Sequence, residues 1–455
     1  MLADEIPAAP HRSENSADSR LPHFPAKAKR VIFLFMKGGP SHMDTFDYKP
    51  RLQKDDNKPL PFEKPRVQFA PTGELLASPW KFKRYGESGI AVSELFPHVA
   101  RCVDDLCIIN SMHGTNPAHG GACLKLHTGS DAFVRPSMGS WVTYGLGTEN
   151  ENLPGFITIC PTLAHGGTKN WGSAFLPAAH SGTPLGNASQ SSEQARVKYI
   201  HNARLSRASQ RLQLDFTQSL NSKFLDTTGP DAALEARIKS FELAFRMQTD
   251  MPAALELSKE SRATHELYGT DDPVTADFAR QCLMARRFAE RGVRFVQVFS
   301  GGPIAGNPRA SWDAHENVKD NHSLEAARID QPVAALLIDL KRLGMLDDTL
   351  VLFTTEFGRT PFAQSDADKV GPGRDHNRYG FSVWLAGAGL KAGTAFGATD
   401  DVGWKAVENP VSWHDFHATV LHLFGIDHQK LTYYHNGIQR RLTNVHGEVV
   451  KGILA

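Results

Sequence analysis

The chain contains no run approaching the ~20 apolar residues that a membrane-spanning helix needs. Its longest apolar candidate, Val31 to Met36, has the length of a strand, so no integral membrane segment is expected. Excess charge of one sign is also missing. Fifty Lys and Arg stand against 49 Asp and Glu, a net charge of +1, which leaves no whole-molecule field to recruit nucleic acid or an anionic membrane. Any anion selectivity must be local. Cysteine is scarce, with Cys102, Cys107, Cys123, Cys160 and Cys282 the full set and no CxxC pair among them. That excludes a disulfide-stapled scaffold and a thiolate metal cluster, and leaves buried thiols as the reading. The first two dozen residues, including His11 to Arg20, lack a hydrophobic core of signal-peptide type, and residues 1–26 read as a disordered tail. No internal repeat or long linker divides the rest. With 41% hydrophobic residues in a chain of 455, residues 27–455 are sufficient for one large domain.

The organisation is alternating. Val31-Ile-Phe-Leu-Phe-Met36, closed by Gly38-Gly39-Pro40, is apolar on both faces, as a central parallel strand is. Similar runs recur at Leu106–Ile109, Phe156–Cys160, Val293–Phe299, Leu350–Thr355 and Phe381–Ala386. Between Leu324 and Leu343, residues Ile329, Val333, Leu336, Leu337, Leu340 and Leu343 fall on one helical stripe that Gly344 ends. The pattern predicts an α/β fold with a mostly parallel sheet flanked by helices. Residues of about 190–250, rich in Arg, Gln, Ser and Ala, read as a helical insertion, and Tyr48 to Tyr85 as an irregular surface excursion.

Polar residues gather where strands end. Trp312-Asp313-Ala314-His315 and His322 precede the long helix, Glu356-Phe357-Gly358-Arg359 comes after the next strand, and Gly373-Arg374-Asp375-His376 runs into another. Carboxylates and imidazoles at consecutive strand ends build metal or phosphate sites in α/β sheets. Such ligands suit one or two divalent ions of Zn, Mn, Fe or Ca, and Arg359 and Arg374 have the planar fork that fits phosphate or sulfate. Each residue also has a purely structural alternative. Glu356 could pin its turn through Arg359, Asn321 or Ser323 could cap a helix in place of a role for His322, and Asp44 could cap another. His119-Gly120-Gly121 could be a tight turn, and Asp375 could orient His376.

Val31 to Pro50, with Trp312-Asp-Ala-His315, Thr355-Glu-Phe-Gly-Arg-Thr360 and Gly373-Arg-Asp-His376, strongly resembles the DUF1501 family. This family of unassigned function is common in planctomycete-type bacteria and lies in the alkaline phosphatase/sulfatase superfamily. The resemblance runs from about Lys27 to the C-terminus. It implies a three-layer sandwich with metal ligands at the strand ends. Asp313 then resembles the carboxylate ligand before the long helix, with His315 or His322 as its imidazole companion. Glu356 takes the place of the Asp in an Asp-His-Gly turn, with Phe357 where His or Asn is expected. His376 resembles the late histidine ligand. Asp44 is the nearest carboxylate to the first strand, where relatives in the superfamily place a metal-binding Asp at the position of Lys37-Gly38. Leu126-His-Thr-Gly129 resembles the end of the sulfatase nucleophile motif, and counting back lands on His119 rather than Cys, Ser or Thr. His42 and Asp375 complete the candidate set. Trp413 to Ile426 resembles a structural helix of the superfamily.

The resemblance implies a metal-dependent hydrolase of sulfate or phosphate esters, on a small molecule or a polysaccharide, with water replacing the missing nucleophile. The rival is a non-catalytic, metal-stabilised binding or assembly module, and a hydrolase of a different bond is a third reading. Relatives usually carry a twin-arginine export signal. Met1-Leu-Ala-Asp-Glu5 resembles the stretch left just after such a signal, so export is expected.

Overall fold

The computed structural model describes residues 21–65, 71–229, 231–301, 311–364 and 372–455. The central strand, β1 (Arg30–Phe35), is buried along nearly its whole length. Its side chains alternate between two cores. Ile32, Leu34 and Met36 join one, while Val31, Phe33 and Phe35 join the other. This two-faced burial is why the strand reads as a continuous apolar run. The other strands of its sheet are β2 (Leu106–His113), β3 (Phe156–Ile159), β4 (Thr183–Leu185), β5 (Phe295–Phe299), β6 (Thr349–Thr354), β9 (Phe381–Ala386), β10 (Thr394–Phe396) and β11 (Val411–Ser412). A separate antiparallel hairpin joins β7 (Gly358–Ala363) to β8 (Arg374–Asn377). The main sheet runs β10-β2-β9-β6-β1-β5-β3-β4, with β11 also on β2. Only β9 runs antiparallel to its neighbours, β2 and β6. The fold is therefore mixed α/β with a mostly parallel sheet.

Helices cover both faces. On the first lie α5 (Ala276–Glu290) and α6 (Val318–Arg342), whose Cys282, Leu283, Val333 and Leu336 pack with Ile32 and Val296. On the second lie α1 (His119–Thr128), α2 (Met138–Leu146) and α7 (Trp413–Leu423), packed through Leu126, Trp141 and Val420 against Phe33 and Phe295. The insertion is a hairpin of α3 (Arg207–Thr228) and α4 (Ala232–Leu255), so it starts later than composition suggested. Ser206 caps α3 through Ser209 N–H. The five cysteines are free and buried. The proposed tail lies mostly in residues 1–20, outside the described residues. Its last part is docked rather than loose, since His23 and Phe24 donate N–H bonds to the Gly425 carbonyl. The excursion after Tyr48 is not wholly irregular, since it holds a short helix at Pro50–Lys54 and ends in a strand, Phe82–Tyr85, paired with Ile90–Ser93, and it is anchored, with Leu52, Leu75 and Trp80 buried.

Helix α6 begins six residues before its apolar stripe. Asn317 caps it by accepting the Asp320 N–H, and a polar first turn carries no periodicity to betray a helix. His322 is consequently inside the helix rather than ahead of it, and neither Asn321 nor Ser323 is its cap. Leu343 is 44% exposed at the helix end, off the buried face. Gly344 (φ 65) supplies the left-handed residue that ends the helix.

Two residues expected at the metal or anion site hold the fold instead. Asp44 and Arg374, both fully buried, form a two-pronged ion pair, with Nε to Oδ2 at 2.8 Å and Nη2 to Oδ1 at 3.2 Å. Arg374 spends its other donors on the carbonyls of Thr360 and Leu76. Asp44 therefore ligates no ion here, and the Arg374 fork is committed away from any anion. Burial would raise the Asp44 carboxyl, but the guanidinium beside it holds it below its ordinary value.

Leu336→Ala should cost about 2–5 kcal/mol, and Leu343→Ala within about 0.5 kcal/mol, in urea unfolding. Asp44→Asn leaves Arg374 buried without its counter-charge and should cost about 3–5 kcal/mol at neutral pH. Because the folded-state value is depressed, this stabilisation is present above the ordinary carboxylate value of about 3.9 and is lost as pH falls through the lower folded one. The gap between wild type and variant should close only in that acid range.

Candidate metal centre

The carboxyl ends of β1, β2, β5 and β6 open toward one edge, where open α/β sheets collect ligands. The chain segments after these strands bring Gly38, His119, Asp313 and Glu356 there, and β8, just before the reversed strand β9, adds His376. Their approach is very close. Gly38 (φ +113) lies so near the Asp313 loop that a Cβ would stand 2.6 Å from Asp313 N and 2.7 Å from Trp312 N. Trp312 N–H donates to the Lys37 carbonyl across the same contact. Glycine is required at that position for steric as well as conformational reasons.

His119, Asp313, His315 and His376 offer four ligand atoms that all lie within 4.8 Å of one another, a group that could hold a metal ion. Asp313 Oδ1 lies 2.9 Å from His315 Nε2 and 3.3 Å from Nε2 of both His119 and His376. The second nitrogen of each ring is tethered. His119 Nδ1 is 2.7 Å from Glu356 Oε1, His376 Nδ1 is 2.6 Å from the Pro117 carbonyl, and His315 Nδ1 is 2.5 Å from Gln364 Oε1. All three partners are acceptors, so each imidazole carries its proton on Nδ1 and turns an Nε2 lone pair inward. His315 Nε2 and His376 Nε2 are only 3.0 Å apart. Two lone pairs at that distance require a proton or a metal cation between or beside them. The buried His119 Nε2 is without a hydrogen-bond partner of good geometry. The donor set thus fits a divalent ion, with the outer partners that metal-binding histidines ordinarily have.

Charge in the cluster is balanced from one side. Burial alone would raise the Asp313 carboxyl, but the Arg359 guanidinium beside it holds it far below the usual carboxylate range. Arg359 Nη2 lies 2.7 Å from Asp313 Oδ1. Its remaining donors go to the carbonyls of Gly38, Gly39 and Arg374. Arg359 thus holds the carboxylate and the glycine loop, and does not present a free fork to a substrate anion. Burial opposes a charged His119, yet the Asp313 and Glu356 carboxylates beside it raise its pKa. Burial pushes His376 well below the ordinary imidazole value.

The remaining expected residues fall around the cluster rather than in it, with one exception. Glu356 does not face the cluster with a free oxygen. It accepts from His119 Nδ1, from Gly38 N–H at 3.0 Å and from the Thr355 hydroxyl at 3.2 Å, so it orients His119. The exception is His119, sought as a replacement nucleophile, which stands among the ligand atoms. His322 is outside the group. Its Nε2 accepts the Ser41 N–H at 2.9 Å, its Nδ1 is 3.0 Å from Asn321 Oδ1, and burial pushes it down to about 3. Both nitrogens are occupied, which leaves His315 as the companion of Asp313. His42 bonds the Gly403 carbonyl at 2.8 Å and does not reach the cluster. Asp375 accepts the His376 N–H at 2.6 Å and shapes that turn without ligating. Phe357, in the place of an expected ligand, lies 4.2 Å from the His376 ring and 4.9 Å from that of His119. It walls off one side of the site.

Three residues of the site carry no mark in the sequence that singled them out. Gln364 and Pro117 act through one oxygen each, which no motif signals. His165 packs its ring 4.6 Å from His119 in a left-handed conformation (φ 52), with two glycines of positive φ after it. A non-glycine residue there is uncommon and tends to mark a site. The pair of glycines after His165, repeating those after His119, was the available signal.

No functionally curated protein matches the chain. Similar solved structures include the lipoteichoic acid synthase LtaP from Listeria monocytogenes, 10% identical, with 93% of this chain and 77% of that one covered and a TM-score of 0.36. The PsFucS1 sulfatase from Pseudoalteromonas sp. is 12% identical, with 92% and 72% covered and a TM-score of 0.34. A TAB5 alkaline phosphatase variant with Mg bound is 11% identical, with 81% and 94% covered and a TM-score of 0.33. Across residues 28–454 the sequence matches the family described as protein of unknown function, DUF1501. The chain, with its strand-end motifs assembled into one cluster, belongs to the DUF1501 family.

Proposed function

We propose that this protein is a metal-dependent hydrolase of phosphate or sulfate esters, built on one divalent ion held by His119, Asp313, His315 and His376. The observation that carries the reading is the convergence of three Nδ1-tethered imidazoles, lone pairs inward, on one carboxylate oxygen. Three nitrogens and one oxygen favour Zn, with Mn next, over Ca, which takes six to eight oxygens. One ion suffices, because Asp44 is committed to Arg374 and Glu356 to His119. When bound, such an ion supplies Lewis-acid polarisation of an ester oxygen and lowers the pKa of water to about 7. That supports hydrolysis without a Ser, Thr or Cys nucleophile.

The chain's own residues do the rest. Glu356, Pro117 and Gln364 hold protons at the three Nδ1 atoms and thereby aim the Nε2 atoms. Arg359 keeps Asp313 ionised, and Phe357 excludes water from one side. Half-buried His165 is pushed down by burial and kept neutral near pH 7, and it accepts or returns a proton at the mouth. Burial disfavours the ammonium of Lys37, and the fields of Glu356 and Glu325 oppose that shift. Action on polysaccharide esters outside the cytoplasm, after export, belongs to the same reading. Fractionation of cells producing the native protein tests that part, and a cytoplasmic result removes it.

One observation favours the non-catalytic alternative: both guanidinium forks near the site are spent inside the fold. Activity decides between the two.

Elemental mass spectrometry on protein prepared without chelators should find close to one ion per chain. His376→Ala and His315→Ala should lose it, Glu356→Gln should bind it about 10–100-fold more weakly, and His322→Ala should retain it. Occupancy should fall in acid, because protons compete with the ion for the imidazole ligands. Aryl phosphate or aryl sulfate turnover in that metal should disappear in His376→Ala while the circular dichroism is kept. Metal without turnover leaves the binding module. Protein that neither retains nor takes up metal overturns both.

A further inference from the structure

In the hairpin formed by α3 and α4, α4 reaches the core through Met247, Met251 and Ala254, whereas α3 has no buried residue along its 22 positions. One side of α3 meets α4, where Arg211 pairs with Glu242 and Gln218 bonds the Ile238 carbonyl. A second side carries Leu212, Phe216, Leu220 and Phe224, exposed at 71%, 66%, 50% and 53%. Their four-residue spacing places all four on one ridge of the helix. Scattered exposed apolar residues are ordinary, but a continuous ridge over three turns indicates a surface that a partner covers.

We propose that this ridge is the contact between two copies of the chain, packed antiparallel about a two-fold axis between Phe216 and Leu220. The order Leu, Phe, Leu, Phe is self-complementary in that arrangement alone. Leu212 faces Phe224 of the second copy and Phe216 faces its Leu220, so every large ring meets a smaller side chain, whereas a parallel pairing sets ring on ring. The flank agrees. Asp215 and Lys223 lie on the same edge of the ridge, one on either side of its centre, and the two-fold brings Asp215 of each copy beside Lys223 of the other. Lys223 forms no ion pair with the described residues of its own chain, and Asp215, which pairs with Arg211 through Oδ1, would meet Lys223 of the second copy as a further cation.

The area is adequate. With roughly 150–250 Å² on each large side chain, the four exposed fractions present about 400 Å² per copy. The polar flanks of two 22-residue helices bring the total to about the 1,000–1,200 Å² at which specific interfaces begin. The chain's own N-terminal segment is a poor occupant, because residues 1–20 offer only Met1, Leu2 and Ile6 as large apolar side chains.

Light scattering coupled to size exclusion, on the full chain at micromolar concentration, should give twice the chain mass. Phe216→Glu and Leu220→Glu should each halve it without moving the circular dichroism, since these side chains are exposed in the single chain, and should remove any dependence of the melting temperature on protein concentration. Asp215→Lys should weaken the dimer, and Asp215→Lys with Lys223→Asp should restore it. A wild-type monomer overturns the proposal, as does a dimer indifferent to Phe216→Glu. A monomer that floats with anionic vesicles through the same residues overturns it too, and reassigns the ridge to a membrane surface. None of these outcomes bears on the metal centre, whose residues are untouched.

Discussion

Asp313 is a carboxylate taken largely out of water and kept ionised, and much of the surrounding structure exists to make that tolerable. An isolated buried carboxylate would take up a proton. Here Arg359 supplies the counter-charge from a fully buried position, and it is held in place by the carbonyls of the Gly38-Gly39 turn and of Arg374. The glycines are needed so that this turn can press against the backbone of Trp312 and Asp313. Arg374 is in turn neutralised by Asp44. Two buried ion pairs thus lock the loops after β1 and β5 to the hairpin of β7 and β8. Three tethered imidazoles then approach the same carboxylate oxygen.

This arrangement explains how a site can keep the place of a metal centre while changing its parts. Lys37 and Phe357 stand where the superfamily resemblance leads one to expect ligands. A lysine and an aromatic side chain stand there, and the clustered ligand atoms are those of His119, Asp313, His315 and His376. Glu356, from the position of an expected ligand, instead supports a histidine ligand. The chemical consequence is a cluster of three imidazoles and one carboxylate, richer in nitrogen than the mixed carboxylate and imidazole set read from the sequence motifs.

Much of the sheet was legible in the sequence because its strands are apolar on both faces, and Val31–Met36, Leu350–Thr355 and Phe381–Ala386 each declare themselves without reference to anything distant. The beginning of α6 was not, since Asn317 and a polar first turn carry no periodicity. In the candidate site, Asp313, His315 and His376 were found as members of local motifs. Roles were harder than membership. Asp44, His322, Arg359 and Arg374 have the right chemistry for a site, and only contacts with residues far away in the chain show that their valences are already used.

The sequence by itself determined the fold class, the sheet's central strands, the family and the edge at which a metal would sit. All of these rest on short-range pattern: the period of burial, glycine at strand ends, and motifs of a few residues. Tertiary structure decided which imidazole joins Asp313, which carboxylate supports rather than binds, and which arginines are spent. It also showed that the apolar ridge of α3 is left uncovered by its own chain. The physical reason is common to all of these. A side chain's role depends on which of its donors, acceptors or faces remain unsatisfied, and that is fixed by neighbours brought together through folding rather than by neighbours in sequence.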